Sequence, residues 1–445
     1  MSTTEVINPA TGAVFTTVPS LDVARTDAAI ERAAKAFEGW RAVAPGDRAR
    51  LLRRFAAVVE EHLEELARLE VRNAGHTIGN ARWEAGNVRD VLNYYAGAPE
   101  RLSGRQIPVA GGVDVTFHEP LGVVGIIVPW NFPMPIAGWG FAPALAAGNT
   151  VVLKPAELTP LTAIRLGELA LDAGLPEGVF QVLPGKGSVV GQRFVTHPAV
   201  RKVCFTGSTE VGKSIMAGCA DQVKRVTLEL GGKSANVIFA DADLEKAAAA
   251  APGAVFDNAG QDCCARSRLL VEASVYDKFL ALLEPAVRKF RVLDPSDDLS
   301  EMGPLISSGQ RDTVAGFVTD ADVAFRGDAP ESDGWWFPPT VLLAGSTTAG
   351  PPGRGRGRRA AGLAESAVHP GGRRGRGHRR PAPARGRAVR AGVLTTYPIG
   401  VLKCSKAPAR GAPGLREELT QIFAPSSTFG FGTRIRRNVR ARMTP

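Results

Sequence analysis

The residues best suited to chemistry are a cysteine and a glutamate that lie 34 positions apart. Cys263 stands in the run Phe-Asp-Asn-Ala-Gly-Gln-Asp-Cys-Cys-Ala-Arg over residues 256–266, and Glu229 precedes Gly231 and Gly232. A cysteine attacks a carbonyl carbon as a thiolate, so its surroundings must lower its pKa. A carboxylate followed by glycines can approach a neighbouring site closely, because glycine adds no side-chain bulk. Either segment alone is compatible with a structural role, but the two together favour covalent chemistry at a carbonyl group.

The elements that must position these residues follow from the hydrophobic pattern. Apolar residues at three- and four-residue spacing, as over 51–69, predict that the first hundred residues are helical. From residue 123, short apolar runs alternate with amphipathic stretches, which predicts right-handed βαβ units and a parallel sheet. The expected strands are 123–128, 150–153, 179–183, 202–205 and 224–228, and the expected helices are 134–147, 160–173, 188–195 and 209–219. A second α/β series follows, with strands 235–239 and 268–272 and helices 243–257 and 275–290.

Composition excludes several classes of protein. Five scattered cysteines argue against a disulfide framework, and the first twelve residues lack the features of a secretory signal, so we expect a cytoplasmic protein. The uncharged stretch 120–153 is long enough to cross a membrane, but its prolines would break a spanning helix. A buried strand–loop–helix is the better prediction. The six histidines show no ligand spacing, so no metal site is predicted.

The positive charge is confined to the end of the chain. The net charge of +10 divides into about −8 for residues 1–350, +11 for 351–392 and +7 for 393–445. The middle segment is rich in Arg, Gly, Pro and Ala, with no Phe, Tyr, Trp, Ile or Lys. Such a composition cannot bury enough apolar surface to fold, so we expect residues 346–392 to be poorly ordered.

Five motifs in register give the chain a resemblance to the aldehyde dehydrogenase superfamily over residues 5–345. Besides the segments around Cys263 and Glu229, these are Pro-Trp-Asn-Phe at 129–132, Lys-Pro-Ala-Glu at 154–157 and Phe-Thr-Gly-Ser-Thr-Glu-Val-Gly at 205–212. The resemblance implies an α/β fold with a Rossmann-type NAD-binding domain, an α/β catalytic domain and a small oligomerisation element. The implied bounds are 1–102 and 120–230 for the NAD-binding domain, 103–119 for an oligomerisation hairpin, 231–345 for the catalytic domain and 346–445 for an aberrant tail.

The resemblance also implies a mechanism that these residue types can support. Cys263 would attack an aldehyde, and the Asn131 amide with a backbone N–H near Cys263 would stabilise the oxyanion. Hydride transfer to the nicotinamide would leave a thioester, which Glu229 would hydrolyse by activating water as a general base. Cys264 is the alternative nucleophile, but the Gln-any-Cys spacing of the family selects Cys263.

Cofactor binding is expected at the carboxyl ends of the parallel strands. An acid at Glu157 would accept hydrogen bonds from the adenosine ribose and repel a 2′-phosphate, which favours NAD over NADP. Ser208 precedes the expected helix 209–219, whose N-terminus suits a pyrophosphate. By resemblance, the full set of cofactor residues is Pro129, Trp130, Lys154, Glu157, Gly187, Gly207, Ser208 and Leu230.

Two residues bear on the substrate. Trp139 would line the entry tunnel by resemblance, although an ordinary core tryptophan is the alternative. Asp262 would attract a cationic aldehyde, such as an amino-aldehyde, and would raise the pKa of Cys263. The resemblance further implies a homodimer or homotetramer.

The chain departs from the family after residue 345. The expected Glu-any-Phe-Gly-Pro motif is absent, and residues 398–403 only partly match the later Pro-Phe-Gly-Gly-Phe-Lys loop. Such a composition is typical of high-GC coding DNA translated in a shifted frame, so a frameshift over about 346–445 is our interpretation. Two alternatives stay open. One is an inactive relic, whose catalytic domain lacks its last strands and whose hairpin 103–119 exposes an edge. The other is a genuine basic tail that binds nucleic acid, against which stands the lack of aromatic stacking platforms in 351–392.

Overall fold

The computed structural model of this protein describes residues 2–343, 399–404 and 433–437. The first part of the chain begins with an antiparallel hairpin of β1 (Thr3–Ile7) and β2 (Val14–Pro19). Four helices follow, namely α1 (Val23–Ala42), α2 (Pro45–Glu61), α3 (Leu63–Ala74) and α4 (Ile78–Ala96). The prediction of a wholly helical first hundred residues is therefore wrong at its start. The two segments are rich in Thr and Val, which favour strands, and Gly12 at φ +67° closes the turn between them.

The predicted parallel sheet is present, and every strand runs in the same direction. Its strands are β5 (Val123–Ile127), β6 (Thr150–Lys154), β7 (Phe180–Val182), β8 (Val200–Gly207) and β9 (Arg225–Leu230), in the order β7-β6-β5-β8-β9. The connecting helices are α5 (Pro133–Ala146), α6 (Leu161–Asp172), α7 (Gln192–Thr196) and α8 (Thr209–Ala220). The order reverses between β5 and β8, so a crevice opens at the carboxyl ends of these two strands, where ligands bind in open α/β sheets.

Both faces of this sheet are covered, which explains its continuous apolar strands. Along β6, Val151 and Leu153 pack in a core with Phe55 and Phe141, whereas Val152 packs on the opposite face with Ile30. Neighbouring side chains of a strand point to opposite faces, so one short strand contributes to two cores.

The uncharged stretch 120–153 begins at the last residue of β4 and then forms β5, α5 and most of β6, as the strand–loop–helix prediction requires. Helix α5 was predicted to be amphipathic, but all of its residues except Trp139 and Gly140 are buried. The described part of the chain has no helix that is both long and apolar enough to cross a membrane. The predicted helix 188–195 begins instead as a π-helical turn, Gly187–Gly191, before α7.

The predicted hairpin consists of β3 (Gln106–Val109) and β4 (Gly112–Pro120), which pair antiparallel. A third strand, β15 (Thr433–Arg437), pairs antiparallel with β4, from Thr433 opposite Pro120 to Arg437 opposite Thr116. Strand β4 is therefore paired on both sides within this chain, whereas pairing with a second subunit stays a prediction.

A second five-stranded sheet carries the remaining described residues. Its strands are β10 (Ala235–Ile238), β11 (Arg268–Glu272), β12 (Asp322–Arg326), β13 (Thr340–Leu343) and β14 (Ile399–Cys404), in the order β10-β11-β14-β13-β12. Its helices are α9 (Leu244–Ala250), α10 (Gly253–Phe256), α11 (Tyr276–Arg288) and α12 (Ser308–Val318). The predicted single helix 243–257 is divided because Pro252 lacks the N–H that would continue the hydrogen-bond ladder.

Strand β14 comes from the predicted aberrant tail, yet it lies in the middle of this second sheet. It pairs in parallel with β11 on one side and with β13 on the other. The expectation that the catalytic domain lacks its last strands is therefore wrong for β14. The Arg-, Gly- and Pro-rich segment 346–392, with the predictions made for it, lies outside the described residues.

Candidate active site

Cys263 lies on a tight turn between α10 and β11. In this Cys263 turn (residues 262–265), the backbone N–H of Ala265 donates to the carbonyl of Asp262 at 3.2 Å, and the N–H of Cys264 donates to the Asp262 carboxylate at 3.1 Å. Both cysteines are exposed and neither forms a disulfide. A thiol on an exposed turn is accessible to a small carbonyl compound, as a nucleophile must be.

The neighbours of Cys263 act on its pKa in opposite directions. A side-chain hydrogen bond between the two cysteines lowers the pKa of Cys263, while partial burial and the Asp262 carboxylate raise it. The lowering prevails. The pKa of Cys264 is correspondingly raised, so this thiol stays protonated. The predicted effect of Asp262 has the right sign, but it is outweighed by Cys264, whose contribution was not predicted.

Glu229 lies in the first sheet, shortly before a segment that contacts the Cys263 turn. It lies on β9, one residue before the end of the strand and opposite Thr206 of β8, and its side chain is exposed. Three residues later, a Cβ atom added to Gly232 would lie 2.9 Å from the Cys263 carbonyl oxygen. A side chain at position 232 would force this neighbour to shift, so glycine suits the close approach of the two backbones. The segment that follows β9 therefore packs directly against the Cys263 turn.

Asn131 is fixed beside the Cys263 turn by two hydrogen bonds. It belongs to the β5 loop (residues 128–132), and its side-chain Nδ2 donates to the carbonyl of Gln261 at 2.9 Å. In return, Asn258 Nδ2 donates to the carbonyl of Asn131 at 2.8 Å. An amide nitrogen carries two hydrogens, so the bond to Gln261 leaves the second one of Asn131 for another acceptor.

Gln261 and Asn258 form the buried support of this arrangement. Gln261 Oε1 accepts the backbone N–H of Ile306 at 2.9 Å, and its Nε2 donates to the carbonyl of Asn258 at 3.3 Å. Both side chains are buried. The sequence analysis did not assign them a role. Two amide side chains within six residues of a candidate nucleophile were the available signal, because buried amides must be hydrogen-bonded.

The predicted cofactor residues gather along one edge of the first sheet. Each follows or ends a parallel strand at its carboxyl end, with Pro129 and Trp130 after β5, Lys154 and Glu157 at β6, Gly187 after β7, Gly207 and Ser208 at β8, and Leu230 at β9. Pro129 and Trp130 are half-buried in the β5 loop. This edge includes the crevice between β5 and β8.

A hydrogen bond joins two of these residues directly. The backbone N–H of Gly187 donates to Glu157 Oε1 at 3.2 Å, which leaves the other carboxylate oxygen for a ligand. No heavy atom lies within 4 Å of a Cβ added to Gly187, so open space adjoins this backbone. Lys154 is buried and its Nζ donates to the carbonyl of Pro155 at 2.7 Å. Burial lowers the pKa of Lys154, and the charge of Glu157 opposes that effect.

Ser208 caps helix α8 at the crevice. Its hydroxyl accepts the N–H of Val211 at 3.4 Å, and its carbonyl accepts that of Gly212 at 3.0 Å. A helix N-terminus attracts anions through its backbone N–H groups and its dipole. Leu230 packs against the same helix, since a Cβ on Gly212 would lie 2.8 Å from a Leu230 methyl group. An anionic dinucleotide fits this edge. The Glu157 carboxylate can accept hydrogen bonds from hydroxyl groups, the backbone of Gly187 adjoins open space, and the N-terminus of α8 attracts negative charge.

The two predicted substrate residues differ in their surroundings. Trp139 on α5 is half-buried and its Nε1 donates to Asn87 on α4 at 2.8 Å, while its ring packs against the first core. Asp262 is half-buried, and both of its carboxylate oxygens lie 3.3 Å from the Cys264 sulfur.

The structure also brings together charged residues that the sequence analysis did not single out. Glu70, His76 and Glu84 place one ligand-type atom each within 4.8 Å of the others, and all three side chains are buried. Asp262, Cys263 and Cys264 form a second such group at the Cys263 turn. Counting histidines could not find the first group, because its members come from two helices and the loop between them.

Comparison with known proteins decides the family. The model of the aldehyde dehydrogenase family matches residues 1–348 of this chain. The chain belongs to the aldehyde dehydrogenase family. The match ends close to the position at which the composition changes.

This aldehyde dehydrogenase is similar to curated proteins of different lengths. It is 43% identical over 354 residues to cytosolic 10-formyltetrahydrofolate dehydrogenase of Homo sapiens, and the match covers 76% of this chain but only 39% of that protein. It is 43% identical over 356 residues to phenylacetaldehyde dehydrogenase of Pseudomonas fluorescens, covering 76% of this chain and 71% of that enzyme. The chain thus spans about two fifths of the formyltetrahydrofolate relatives.

Solved relatives confirm the fold class. The crystal structure of PnpE in complex with nicotinamide adenine dinucleotide matches with a TM-score of 0.75 and 40% identity, covering 77% of this chain and 73% of PnpE. An E. coli enzyme described as NADP-dependent matches with a TM-score of 0.74 and 39% identity, covering 77% of this chain and 73% of that one. The relatives of this chain therefore include one protein in complex with NAD and another described as NADP-dependent.

Proposed function

We propose that this aldehyde dehydrogenase oxidises an aldehyde to a carboxylic acid through a covalent intermediate on Cys263, with NAD as the cofactor. The observation that carries the proposal is the contact between Gly232 and the carbonyl of Cys263. This contact fixes the segment after Glu229 against the turn that carries the thiol. The contact supports the proposal that the Cys263 nucleophile and the Glu229 carboxylate base act at one site.

The first step uses groups at the Cys263 turn. The Cys263 thiolate, favoured by the hydrogen bond from Cys264, attacks the carbonyl carbon and forms a thiohemiacetal. The second N–H of Asn131 stabilises the oxyanion, since its first N–H is held by Gln261. A bound nicotinamide dinucleotide supplies the hydride acceptor for the oxidation to a thioester. Glu229, exposed at the end of β9, then activates the water that releases the carboxylic acid.

The cofactor residues support NAD in preference to NADP. Glu157 holds the backbone of Gly187 with one oxygen and keeps a second for ribose hydroxyls. Its negative charge would repel a 2′-phosphate at that position. Lys154, Gly207, Ser208, Leu230, Pro129 and Trp130 form the remainder of the proposed binding edge.

The substrate proposal rests on Asp262. Its carboxylate adds negative charge beside the nucleophile, which favours a cationic amino-aldehyde, although the Cys264 N–H already occupies one oxygen. A panel of amino-aldehydes and neutral aldehydes of equal length tests it. A higher kcat/KM for the cationic members is expected, and equal values would exclude the idea. Trp139 on α5 is the proposed wall of the substrate tunnel.

Two further expectations remain proposals. The hairpin of β3 and β4 would contribute to a homodimer or homotetramer, and the protein would work in the cytoplasm. Chromatography with light scattering tests the first, and fractionation of the producing cell tests the second.

Reduced cofactor formed by the purified full chain tests the proposed function, with Cys263→Ser and Cys264→Ser as a matched pair. We expect turnover in the wild type and in Cys264→Ser, and loss of about a thousandfold or more in Cys263→Ser. Folded wild-type protein without turnover on a broad aldehyde panel would favour the inactive relic.

A further inference from the structure

A charged cluster is buried beneath the β5 loop. This buried cluster consists of Glu70 on α3, Glu84 on α4 and His76 in the loop between them, with exposures of 0%, 0% and 4%. His76 Nδ1 is hydrogen-bonded to Glu84 Oε1, and Asn73 Nδ2 donates to Glu70 Oε2 at 3.3 Å. In the part of the chain that the structure describes, the other oxygen of each carboxylate is buried and outside hydrogen-bond geometry. Two buried carboxylates require a compensating positive charge close by.

A proton on His76 supplies that charge better than a metal ion does. The ring nitrogen and the Glu84 oxygen are in direct hydrogen-bond contact, so a hydrogen lies between them. Two ligands of one metal ion would instead both direct lone pairs at the ion. The carboxylates of Glu84 and Glu70 and the charge of Asp257 outweigh the effect of burial and hold the pKa of His76 at about 9. Burial and the charge of Glu84 raise the pKa of Glu70 to about 7.

The imidazole ring of His76 contacts the β5 loop. Its centroid lies 5.8 Å from that of the Phe132 ring, with the rings tilted by 56°. Phe132 is the neighbour of Asn131, whose side chain is bonded to Gln261. The His76 ring thus contacts a residue of the same loop that carries Asn131, the proposed oxyanion donor.

His76 also acts on the other side of the site. The negative charge of Asp257 is among those that favour its protonated form, and Asp257 precedes Asn258, which donates to the carbonyl of Asn131. On α4, Asn80 Nδ2 donates to the carbonyl of Asp257 at 2.9 Å. The α3–α4 region therefore supports both segments that meet at Cys263.

The backbone around His76 is fixed, so the ring has a firm base. Gly75 is at φ +77°, and a Cβ added to Gly303 would lie 2.0 Å from its carbonyl oxygen. The N–H of Ile78 donates to the carbonyl of Pro295 at 2.7 Å. A change in the side chain at position 76 is therefore transmitted to its contacts rather than absorbed by movement of its own loop.

We propose that His76, as an imidazolium between Glu70 and Glu84, is a positioning residue that holds the β5 loop and its Asn131 against the Cys263 turn. The proposal rests on the proposed function, because it gives Asn131 a role in the reaction. If the imidazolium loses its proton, the two carboxylates are left buried without a cation. The cluster then loosens, and Phe132 and Asn131 lose their fixed position.

Three variants of the full chain separate charge, shape and simple destabilisation. His76→Gln removes the charge, and His76→Lys keeps a cation with an ordinary pKa of about 10.4. His62→Gln removes a half-buried histidine that is also paired with a glutamate, Glu65. The pH profile of kcat from pH 6 to 10 is measured for each. We expect His76→Gln to lower kcat by up to about a hundredfold at neutral pH with little change in the KM for cofactor. His76→Lys keeps the cation but loses the ring that contacts Phe132, so it should recover only part of the lost kcat while extending the plateau above the wild-type fall near pH 9. His62→Gln should match the wild type.

Hydrogen–deuterium exchange at neutral pH gives a second readout that needs no catalysis. We expect faster exchange in peptides covering 128–136 and 257–265 of His76→Gln, a smaller increase in the same peptides of His76→Lys, and wild-type exchange in His62→Gln. Faster exchange spread evenly over the chain, or none in these peptides, would overturn the positioning role. If the wild type showed no Cys263-dependent turnover, only the proposed function would be refuted. Hydrogen–deuterium exchange would still test whether His76 holds the β5 loop against the Cys263 turn. Dialysis against a chelator should change neither readout, and a change would overturn the proposal in favour of a bound metal ion.

Discussion

The two five-stranded sheets of this chain are built in different ways. The first sheet, β5 to β9, comes from one continuous stretch, and the carboxyl ends of its strands and the loops after them carry all the proposed cofactor residues. The second sheet takes β14 from residues 399–404 and places it between β11 and β13. The first sheet therefore depends on local βαβ connections, whereas the second depends on a segment more than fifty residues away from β13. We therefore expect the cofactor edge to keep its structure when β14 is perturbed. The position of Cys263, which precedes β11, should in contrast depend on the pairing of β11 with β14.

A proline in β14 tests that dependence and should have the largest effect. Val401 pairs with Leu269 of β11 and Leu343 of β13, so Val401→Pro removes a donor from a central strand. We expect the free energy of unfolding to fall by about 4 kcal/mol or more, measured by chemical denaturation. Val401→Ile, which keeps the β-branched shape, is the control. An unchanged unfolding midpoint in the proline variant would show that the second sheet does not require β14.

Substitution at the junction of the sheets should have the next largest effect. A methyl group at position 232 would lie 2.9 Å from the Cys263 carbonyl, whereas one at Gly231 meets no atom within 4 Å. Gly232→Ala should therefore lower kcat by about 10- to 100-fold through displacement of the Cys263 turn, while Gly231→Ala keeps wild-type kcat. Equal activity of the two variants would mean that the Gly232 contact does not position the nucleophile.

The cofactor edge can be changed without touching the second sheet. Glu157→Gln removes the charge expected to repel a 2′-phosphate, so the preference for NAD over NADP should fall by about tenfold. The ratio of kcat/KM for the two cofactors measures it. The rate of Cys263 alkylation should stay at its wild-type value, and a changed rate would contradict the independence of the two sheets.

The smallest effect is expected from the thiol beside the nucleophile. The Cys264 hydrogen bond lowers the pKa of Cys263, so Cys264→Ala should raise that pKa and slow alkylation by iodoacetamide severalfold at neutral pH. Asp262→Asn removes an opposing charge and should shift the alkylation profile towards lower pH. Mass spectrometry of the labelled peptide across pH measures both. If the alkylation profiles of Cys264→Ala and Asp262→Asn shifted in the same direction along the pH axis, the opposing effects of Cys264 and Asp262 on the pKa of Cys263 would be contradicted.

The sequence predicts the first sheet well because its signals are local. Strands such as β5 and β6 are apolar runs bounded by helices, and the motif residues follow them directly. The position of β14 was not predictable, since pairing between Gly400 and both Arg268 and Leu342 is not encoded by any local pattern. The helical expectation for the N-terminus failed at β1 and β2, where no apolar spacing marked a strand.

The site shows the same division. Cys263 and Glu229 stood out by residue type and neighbouring glycines, and the structure adds the contact through Gly232. No role was predicted for Asn258 or His76, because the roles of both depend on contacts with residues that are distant in sequence. Cys264 was considered only as a rival nucleophile, although its hydrogen bond favours the thiolate of its neighbour.

The most direct test of the central claim is to trap the thioester. Glu229→Gln, mixed with an aldehyde and NAD and quenched rapidly, should carry one acyl group on the peptide that contains Cys263. The adduct should require both compounds, be absent from Cys263→Ser and persist in Cys264→Ser on the same background. An acyl group on Cys264, or wild-type turnover with no adduct on Cys263 in any variant, would contradict the account.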